Sequence, residues 1–199
     1  MAESPEHPLV ELIGIFDRLR RECAWKAAQT HRSLTRYLIE EAYEAVDAAD
    51  AGDVAALRDE LGDVLLQVYL HAAIAAEHGD FTIEEVALGL RDKMIRRNPH
   101  VFGDGPGGDA EEINDAWQRI KAAENPDREL LDGVPADLPA LLRADKFIDR
   151  AGRAGMSLRI DQSSADLGER LLALVAEAHG AGVDPEQALR DAVRRRAGD

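Results

Sequence analysis

Five carboxylates are the residues of this chain best suited to chemistry. They fall into two groups, Glu40, Glu41 and Glu44, followed by Glu60 and Asp63. In a helix, residues three or four apart lie on one side, with Cβ atoms about 5–6 Å apart, so each group presents carboxylates that point the same way. Several carboxylates in one cleft do not all stay ionised without a cation. A hard divalent ion with oxygen ligands, Mg²⁺ or Mn²⁺, would satisfy them.

Two helices must position these acids. The sequence predicts a helix over about 33–51 and a second that begins after the N-cap Asp53 and runs to Gly79. The short turn between them makes the helices antiparallel neighbours, which would bring the two carboxylate groups together. After Gly62 the second helix is apolar on almost every side, which is typical of a helix buried in a bundle or at an oligomer interface.

Two other interpretations of the acids remain open. A chain with a net charge of −15 contains acidic clusters that are merely solvated. A di-iron carboxylate bundle is the nearest metal-binding competitor, but it requires Glu-x-x-His, and no glutamate here has a histidine three residues later. His71 and His78 are accordingly expected to be structural rather than ligands.

The rest of the chain is also predicted to be helical. The first helix is expected to have Ser4 as its cap and Pro5 in its first turn, and Thr82–Glu85 forms a capping box for another helix that ends at Asn98-Pro99. The glycine-rich stretch 103–109 is expected to be a mobile loop. Further helices are predicted over about 110–124, 139–151, 164–180 and 185–197.

Composition narrows the function classes. The 199 residues include 24 Lys and Arg against 39 Asp and Glu, a balance that repels nucleic acid and anionic membranes. The single cysteine, Cys23, excludes an internal disulfide and a four-cysteine zinc site. No apolar run approaches the roughly 20 residues of a membrane span, and no secretory signal is visible. We therefore expect a cytoplasmic protein that binds neither nucleic acid nor membrane.

Several blocks of this sequence, in this order, resemble the MazG family of nucleoside triphosphate pyrophosphohydrolases. The blocks are Gln29–Leu34, Tyr37–Glu44, Leu57–Gln67, Lys93–Phe102, Trp117 with Lys121–Glu124, and Leu131–Pro135 with Leu138–Leu141. The similarity extends from about Leu9 to Arg150.

The resemblance implies a fold, a reaction and a set of ligands. The fold would be all-α, a MazG-like four-helix bundle completed by homodimerisation, here with extra C-terminal helices. The reaction would be Mg²⁺-dependent hydrolysis of a nucleoside triphosphate, canonical or damaged, to the monophosphate and pyrophosphate. Metal-bound water would attack the α-phosphorus. The ligands map onto Glu41, Glu44, Glu60 and Asp63, and Glu40 would orient or deprotonate water or support the ligands.

Cations and aromatic residues supply candidate substrate contacts. An acidic site that accepts a triphosphate needs positive charge, and Lys93, Arg96 and Arg97 offer it with Arg91 near the end of one helix. A basic last turn that complements the helix dipole is the alternative. Further candidates for the phosphates, nucleoside or base are Arg58, Tyr37, Trp117 and Trp25, although the aromatic side chains suit a core equally well.

One loop departs from the family pattern. The family has Cys-Pro-Trp-Asp where this chain has Cys23-Ala24-Trp25-Lys26, so a proline is lost and a charge is reversed. We therefore expect the change to affect substrate specificity or rate more than metal binding, because the acids of the metal site are all retained.

The tail contains a weak internal repeat. Asp166–Leu172 resembles Glu60–Leu66, but no Glu-Glu-x-x-Glu precedes it. We therefore predict a catalytic MazG-like domain over 1–125 and a degenerate, noncatalytic repeat over 126–199 that packs on it. Two other functions remain open: a narrow pyrophosphatase for dCTP, dUTP or phosphoribosyl-ATP, and a helical scaffold that binds a nucleotide or partner without turnover.

Overall fold

The computed structural model describes residues 7–126 and 129–198. Every regular element within those ranges is an α-helix, which confirms the predicted all-α class. The chain divides into two compact units, Met1–Trp117 and Gln118–Asp199. The boundary between these compact units follows Trp117, whereas we predicted a domain boundary after residue 125. The degenerate-repeat interpretation of the tail stays a prediction.

The first unit contains the helices that carry the predicted site. They are α1 (Pro8–Glu22), α2 (Ala24–Ala27), α3 (His31–Ala51), α4 (Val54–His78), α5 (Ile83–Arg97) and α6 (Pro99–Phe102), and α7 (Ala110–Ala123) begins in this unit. The predicted cap Ser4 and Pro5 lie outside the described residues, and α1 has His7 as its N-cap. The sequence did not predict α2, the four-residue helix that follows Cys23.

Helices α3 and α4 form the main packed pair of the first unit. Thr30 and Ser33 make a reciprocal capping box, so α3 begins two residues before the predicted start, and Ser33 lies in its first turn. Gly52 ends α3 in the left-handed region, at φ 69°, where a residue without a Cβ is favoured. Asp53 then caps α4 by accepting from two backbone N–H groups, as the sequence predicts.

The core of the first unit gathers against the second half of α4. Leu70 and Ile74 pack there with Phe16 of α1 and Leu34 of α3. Tyr69 stacks on Phe16 with ring centroids 5.5 Å apart, and its hydroxyl donates to the carbonyl of Leu9 at 2.6 Å. The second half of α4 is therefore buried in the core, while Glu60 and Asp63 lie in its first half, outside the core.

Helix α5 carries the predicted capping box and stop signal. Thr82 and Glu85 cap each other's backbone N–H groups, and the helix ends before Asn98-Pro99. Its apolar residues are largely uncovered, as are several on α3 and α4. The exposed apolar side chains of these three helices include Leu38, Ile39, Tyr43, Leu61, Val68, Val86, Leu88, Leu90, Met94 and Ile95.

The second unit is a smaller helical assembly. It holds α8 (Ala140–Arg153), α9 (Leu167–Gly180) and α10 (Pro185–Ala197), close to the predicted ranges. Ala151, Ala173 and Val175 are buried between them, and His179 bonds Asp145 at 2.8 Å. Across the described residues of both units, no helix combines the length and hydropathy needed to cross a bilayer.

The core assignment predicts unequal costs for two leucine substitutions. Leu70 is fully buried, so Leu70→Ala removes apolar contacts and leaves a cavity, which should lower the free energy of unfolding by about 2–5 kcal/mol. The matched change at exposed Leu9 should cost less than about 0.5 kcal/mol. Urea unfolding followed by circular dichroism measures both, and equal costs would contradict this core.

Candidate metal and nucleotide site

Three carboxylates converge where α3 and α4 face each other. One oxygen from each of Glu41, Glu60 and Asp63 lies within 4.8 Å of the other two. Glu41 lies before the turn at Gly52, and Glu60 and Asp63 lie at a similar distance after it. The antiparallel packing of α3 and α4 therefore places these residues side by side. Glu41 and Glu60 are half-buried and Asp63 is exposed, which leaves the cluster open to solvent on one side.

Glu44 completes the set of four predicted ligands. Its carboxylate is close enough to both Glu41 and Glu60 to raise the pKa of each. All four predicted ligands are therefore neighbours. Glu40, one position before Glu41, is exposed on α3 and lies outside the three-residue cluster.

The electrostatics of the cluster favour a bound cation. Partial burial raises the pKa of Glu41, and the charges of Asp63 and Glu44 raise it further. Desolvation likewise raises the pKa of Glu60, with Glu44 and Asp63 adding repulsion. Each group is harder to ionise because its neighbours are negative. An all-oxygen, all-anionic donor set of this kind fits a hard divalent ion.

Gln67 is a buried polar residue beside the acidic cluster for which we predicted no role from the sequence. Its side chain is 3% exposed, and its amide nitrogen donates to Glu41 at 3.5 Å, which lowers the pKa of that carboxyl slightly against the other effects. The amide oxygen of Gln67 is buried with no hydrogen-bond partner among the described residues. A sequence signal did exist: Gln67 follows Asp63 by one helical turn and is a polar residue within an apolar run.

The predicted cationic residues are arranged differently. Arg58 pairs with its neighbour Asp59 at 2.8 Å on the solvent side of α4. Arg97 lies over the ring of Trp117, 4.9 Å from its centroid, which joins two predicted substrate residues. Lys93 and Arg96 are exposed on α5. The basic end of α5 is therefore associated with an aromatic ring in the first unit.

The other two predicted aromatic residues also meet. Trp25 on α2 stands edge-on to Tyr37 on α3, with centroids 5.8 Å apart. Tyr37 precedes Glu41 by four residues and Glu44 by seven, so all three share one face of α3. Lys26, which departs from the family pattern, places its ammonium 5.2 Å from the centroid of the Trp25 ring.

His71 has a protein partner rather than a place in the acidic cluster. Its Nδ1 lies 2.8 Å from Nδ1 of His31, and the two rings are nearly parallel. Burial and the neighbouring imidazole lower the pKa of His71. One ring must accept the hydrogen bond in its neutral form, so this contact stabilises the packing of α3 on α4.

Comparison with known proteins places this geometry in a family. Residues 29–102, which include both acidic groups, match the MazG nucleotide pyrophosphohydrolase domain. A Streptomyces cacaoi protein named "Uncharacterized 26.1 kDa protein in blaB 3'region" is 44% identical over 94% of this chain and 79% of its own length.

Several other relatives carry functional names. The Thermotoga maritima "Nucleoside triphosphate pyrophosphohydrolase/pyrophosphatase MazG" is 38% identical over 93% of this chain and 81% of its own length. The Mycobacterium tuberculosis "Nucleoside triphosphate pyrophosphohydrolase" is 39% identical over 93% of this chain, which spans 54% of that protein. Because the similarity covers both the acidic helices and most of a named relative, the chain belongs to the MazG nucleotide pyrophosphohydrolase family.

Proposed function

We propose that this protein is a Mg²⁺-dependent hydrolase that converts nucleoside triphosphates to nucleoside monophosphates and pyrophosphate. The observation that carries the proposal is the convergence of Glu41, Glu60 and Asp63 from two helices of the region that matches the MazG domain. Glu44 would complete the ligand set, and Mn²⁺ would be an alternative ion. The family's named relatives support the same reaction.

The chemistry requires positioning and charge neutralisation more than a covalent intermediate. Water attacks the α-phosphorus, a new phosphorus–oxygen bond forms, and the bond to the bridging oxygen breaks as pyrophosphate leaves. A divalent ion held by the four carboxylates would neutralise phosphate charge and make water more acidic. Exposed Glu40, beside Glu41 on α3, would orient this water and accept its proton.

Cationic and aromatic side chains of the first unit would make the contacts with the substrate. Lys93, Arg96 and Arg97 at the end of α5 would hold the phosphates, and Arg58 would exchange Asp59 for phosphate. Tyr37 lies one turn before Glu41 on α3 and contacts Trp25, and these two rings would contact the nucleoside. Trp117, which contacts Arg97, would bind the substrate together with that arginine. Housecleaning of the cytoplasmic nucleotide pool is the role that suits such an enzyme.

We also propose that two chains associate through the first unit. Ile39 on α3, Leu61 on α4 and Leu90 on α5 are each more than half exposed, and further apolar side chains surround them. Uncovered apolar side chains on three successive helices are typical of a protein interface. A homodimer would cover them and complete a four-helix bundle.

The proposed metal role predicts a large loss of activity from one neutral substitution. Glu41→Gln keeps the shape of the side chain but removes a charge from the cluster. Pyrophosphate release from a panel of NTPs and dNTPs should require Mg²⁺, stop with EDTA, and fall about 100-fold or more in this variant. The matched change at exposed Glu11 on α1 should leave the rate unchanged.

Other outcomes of this assay contradict the proposal in different ways. Release of phosphate and a nucleoside diphosphate would move the attack away from the α-phosphorus. Nucleotide binding without turnover would favour the noncatalytic scaffold, and turnover of dCTP, dUTP or phosphoribosyl-ATP alone would favour the narrow pyrophosphatase. A near-normal rate in Glu41→Gln would remove this residue from the metal site.

Carboxylate repulsion predicts a pH dependence of stability without metal. The folded-state pKa of Glu41 is raised, so the folded protein binds more protons than the unfolded chain just above the usual value near 4.5. Stability should therefore fall as pH rises through that window and stay lower above it. In EDTA, the stability of Glu41→Gln relative to wild type should increase between about pH 4 and pH 7. Thermal unfolding at several pH values measures it, and a constant difference would contradict the repulsion.

The dimer proposal predicts a measurable mass. Sedimentation equilibrium at micromolar concentration should give twice 21.7 kDa for the wild-type chain. Leu61→Glu places a charge on the exposed apolar surface and should shift the mass toward one chain without loss of helix, since Leu61 is 54% exposed. A wild-type mass of one chain at this concentration would refute the dimer.

A further inference from the structure

Arg20, in the last turn of α1, is a buried charge with a complete set of partners. Its side chain is 7% exposed. Nε donates to Oε1 of Glu77 and Nη2 donates to Oε2, both at 2.7 Å, which is the two-pronged geometry that binds a carboxylate most strongly. The hydrogen bonds from Arg20 lower the pKa of Glu77. The guanidinium is thereby fixed in direction against α4.

The remaining nitrogen of Arg20 points at the backbone of the segment 23–30. Nη1 donates to the carbonyl of Lys26 and to the carbonyl of Gln29, the latter at 3.1 Å. These carbonyls belong to the end of α2 and the residues that follow it, where backbone acceptors lack partners within the helix. Arg20 therefore ties this segment to the body of the first unit.

Gln29 extends the same network to Trp25. Its amide nitrogen donates to the carbonyl of Trp25 at 3.0 Å, and its amide oxygen accepts from the hydroxyl of Ser33 at 2.7 Å. The segment is thus held at two points, by the hydrogen bonds from Arg20 to its carbonyls and by the bond between Gln29 and Ser33 in the first turn of α3. A helix of four residues has too few internal hydrogen bonds to persist by itself, so the location of Trp25 depends on these contacts.

The segment presents Trp25 to a functional face. The indole is 49% exposed and edge-on to Tyr37, which shares a face of α3 with Glu41 and Glu44. Arg20 itself is buried and directed away from solvent, so it does not touch a substrate. Any influence it has on the reaction must pass through the segment that it holds.

We propose that Arg20, oriented by Glu77, is a positioning residue for the nucleoside: it fixes the segment 23–30 and so holds Trp25 against Tyr37 beside the acidic cluster. The expected effect of Arg20 on KM rests on the proposed function. Its expected effect on the location of the Trp25 ring does not depend on any activity.

The kinetic test compares substrates with and without a base. Arg20→Lys keeps the charge but loses the fork and the bonds to the segment. It should raise KM for a purine nucleoside triphosphate about tenfold, comparable to the loss of one base–aromatic stack, with kcat within about twofold. KM for methyl triphosphate, which has no base, should not change. Arg18→Lys, at an exposed ion pair on the same helix, is the matched control.

A double-variant cycle separates positioning from general stability. If Arg20 acts through Trp25, Arg20→Lys should add nothing to the KM of Trp25→Ala, because the two changes remove one shared interaction. Equal effects on both substrates, or additive effects in the cycle, would overturn the proposal. If Arg20→Lys does not fold, Glu77→Gln serves instead, since it weakens the orientation of Arg20 while the arginine stays in place.

A fluorescence measurement tests the placement without any activity. The chain has two tryptophans, so Trp117→Phe leaves Trp25 as the sole reporter. In that background, Arg20→Lys should increase acrylamide quenching of Trp25, whereas Arg18→Lys should not. Unchanged quenching would overturn the proposal. Absence of pyrophosphate release from the wild type, with quenching altered as expected, would refute the proposed function and leave the positioning of Trp25 standing.

Discussion

The repulsion among carboxylates on α3 and α4 is the constraint on which the first unit depends. Oxygens of Glu41, Glu60 and Asp63 lie within 4.8 Å of one another, and the charge of Glu44 raises the pKa of Glu41 and of Glu60, so these carboxylates make one another harder to ionise. Favourable packing elsewhere must offset this electrostatic repulsion. The buried half of α4 provides that packing, because Leu70 and Ile74 contact apolar residues of α1 and α3. Acids and core thus occupy successive parts of one helix, and a cation would turn the repulsion into binding energy.

The same helices leave apolar side chains uncovered. Ile39, Leu61 and Leu90 lie on three helices of the first unit, and the two on α3 and α4 adjoin acidic residues in sequence. A partner that covered these side chains would also reduce the access of water to the helices that hold the carboxylates. A lower local dielectric strengthens the attraction between carboxylates and a bound cation. Association and metal binding would therefore support each other.

The loop that departs from the family pattern is supported in a different way. Where the family pattern usually has proline and aspartate, this chain has Ala24 and Lys26, yet residues 24–27 are helical and the carbonyls of Lys26 and Gln29 accept hydrogen bonds from Arg20. Arg20 donates to the carbonyls of this segment from α1, and Gln29 donates to the Trp25 carbonyl from within the segment, so the backbone does not depend on proline for its shape. Lys26 lies against the Trp25 ring instead of repeating the family's acid. The altered residues thus change the charge beside Trp25 more than they change the backbone.

The sequence by itself determined the long helices and the order of the acids, but it did not predict the short helices α2 and α6. Local signals are sufficient for this, since the caps Asp53 and Thr82 act within one turn and the carboxylate spacing acts within one face. It also predicted that α3 and α4 are neighbours, because their connection is short. Only the tertiary structure decided that Gln67 reaches Glu41 and that Arg20 reaches both Glu77 and the Gln29 carbonyl. Two of these contacts join residues far apart in the chain, and the third joins α1 to the residue before the Thr30 cap of α3. All three depend on how whole helices pack against one another, which no local pattern of residues encodes.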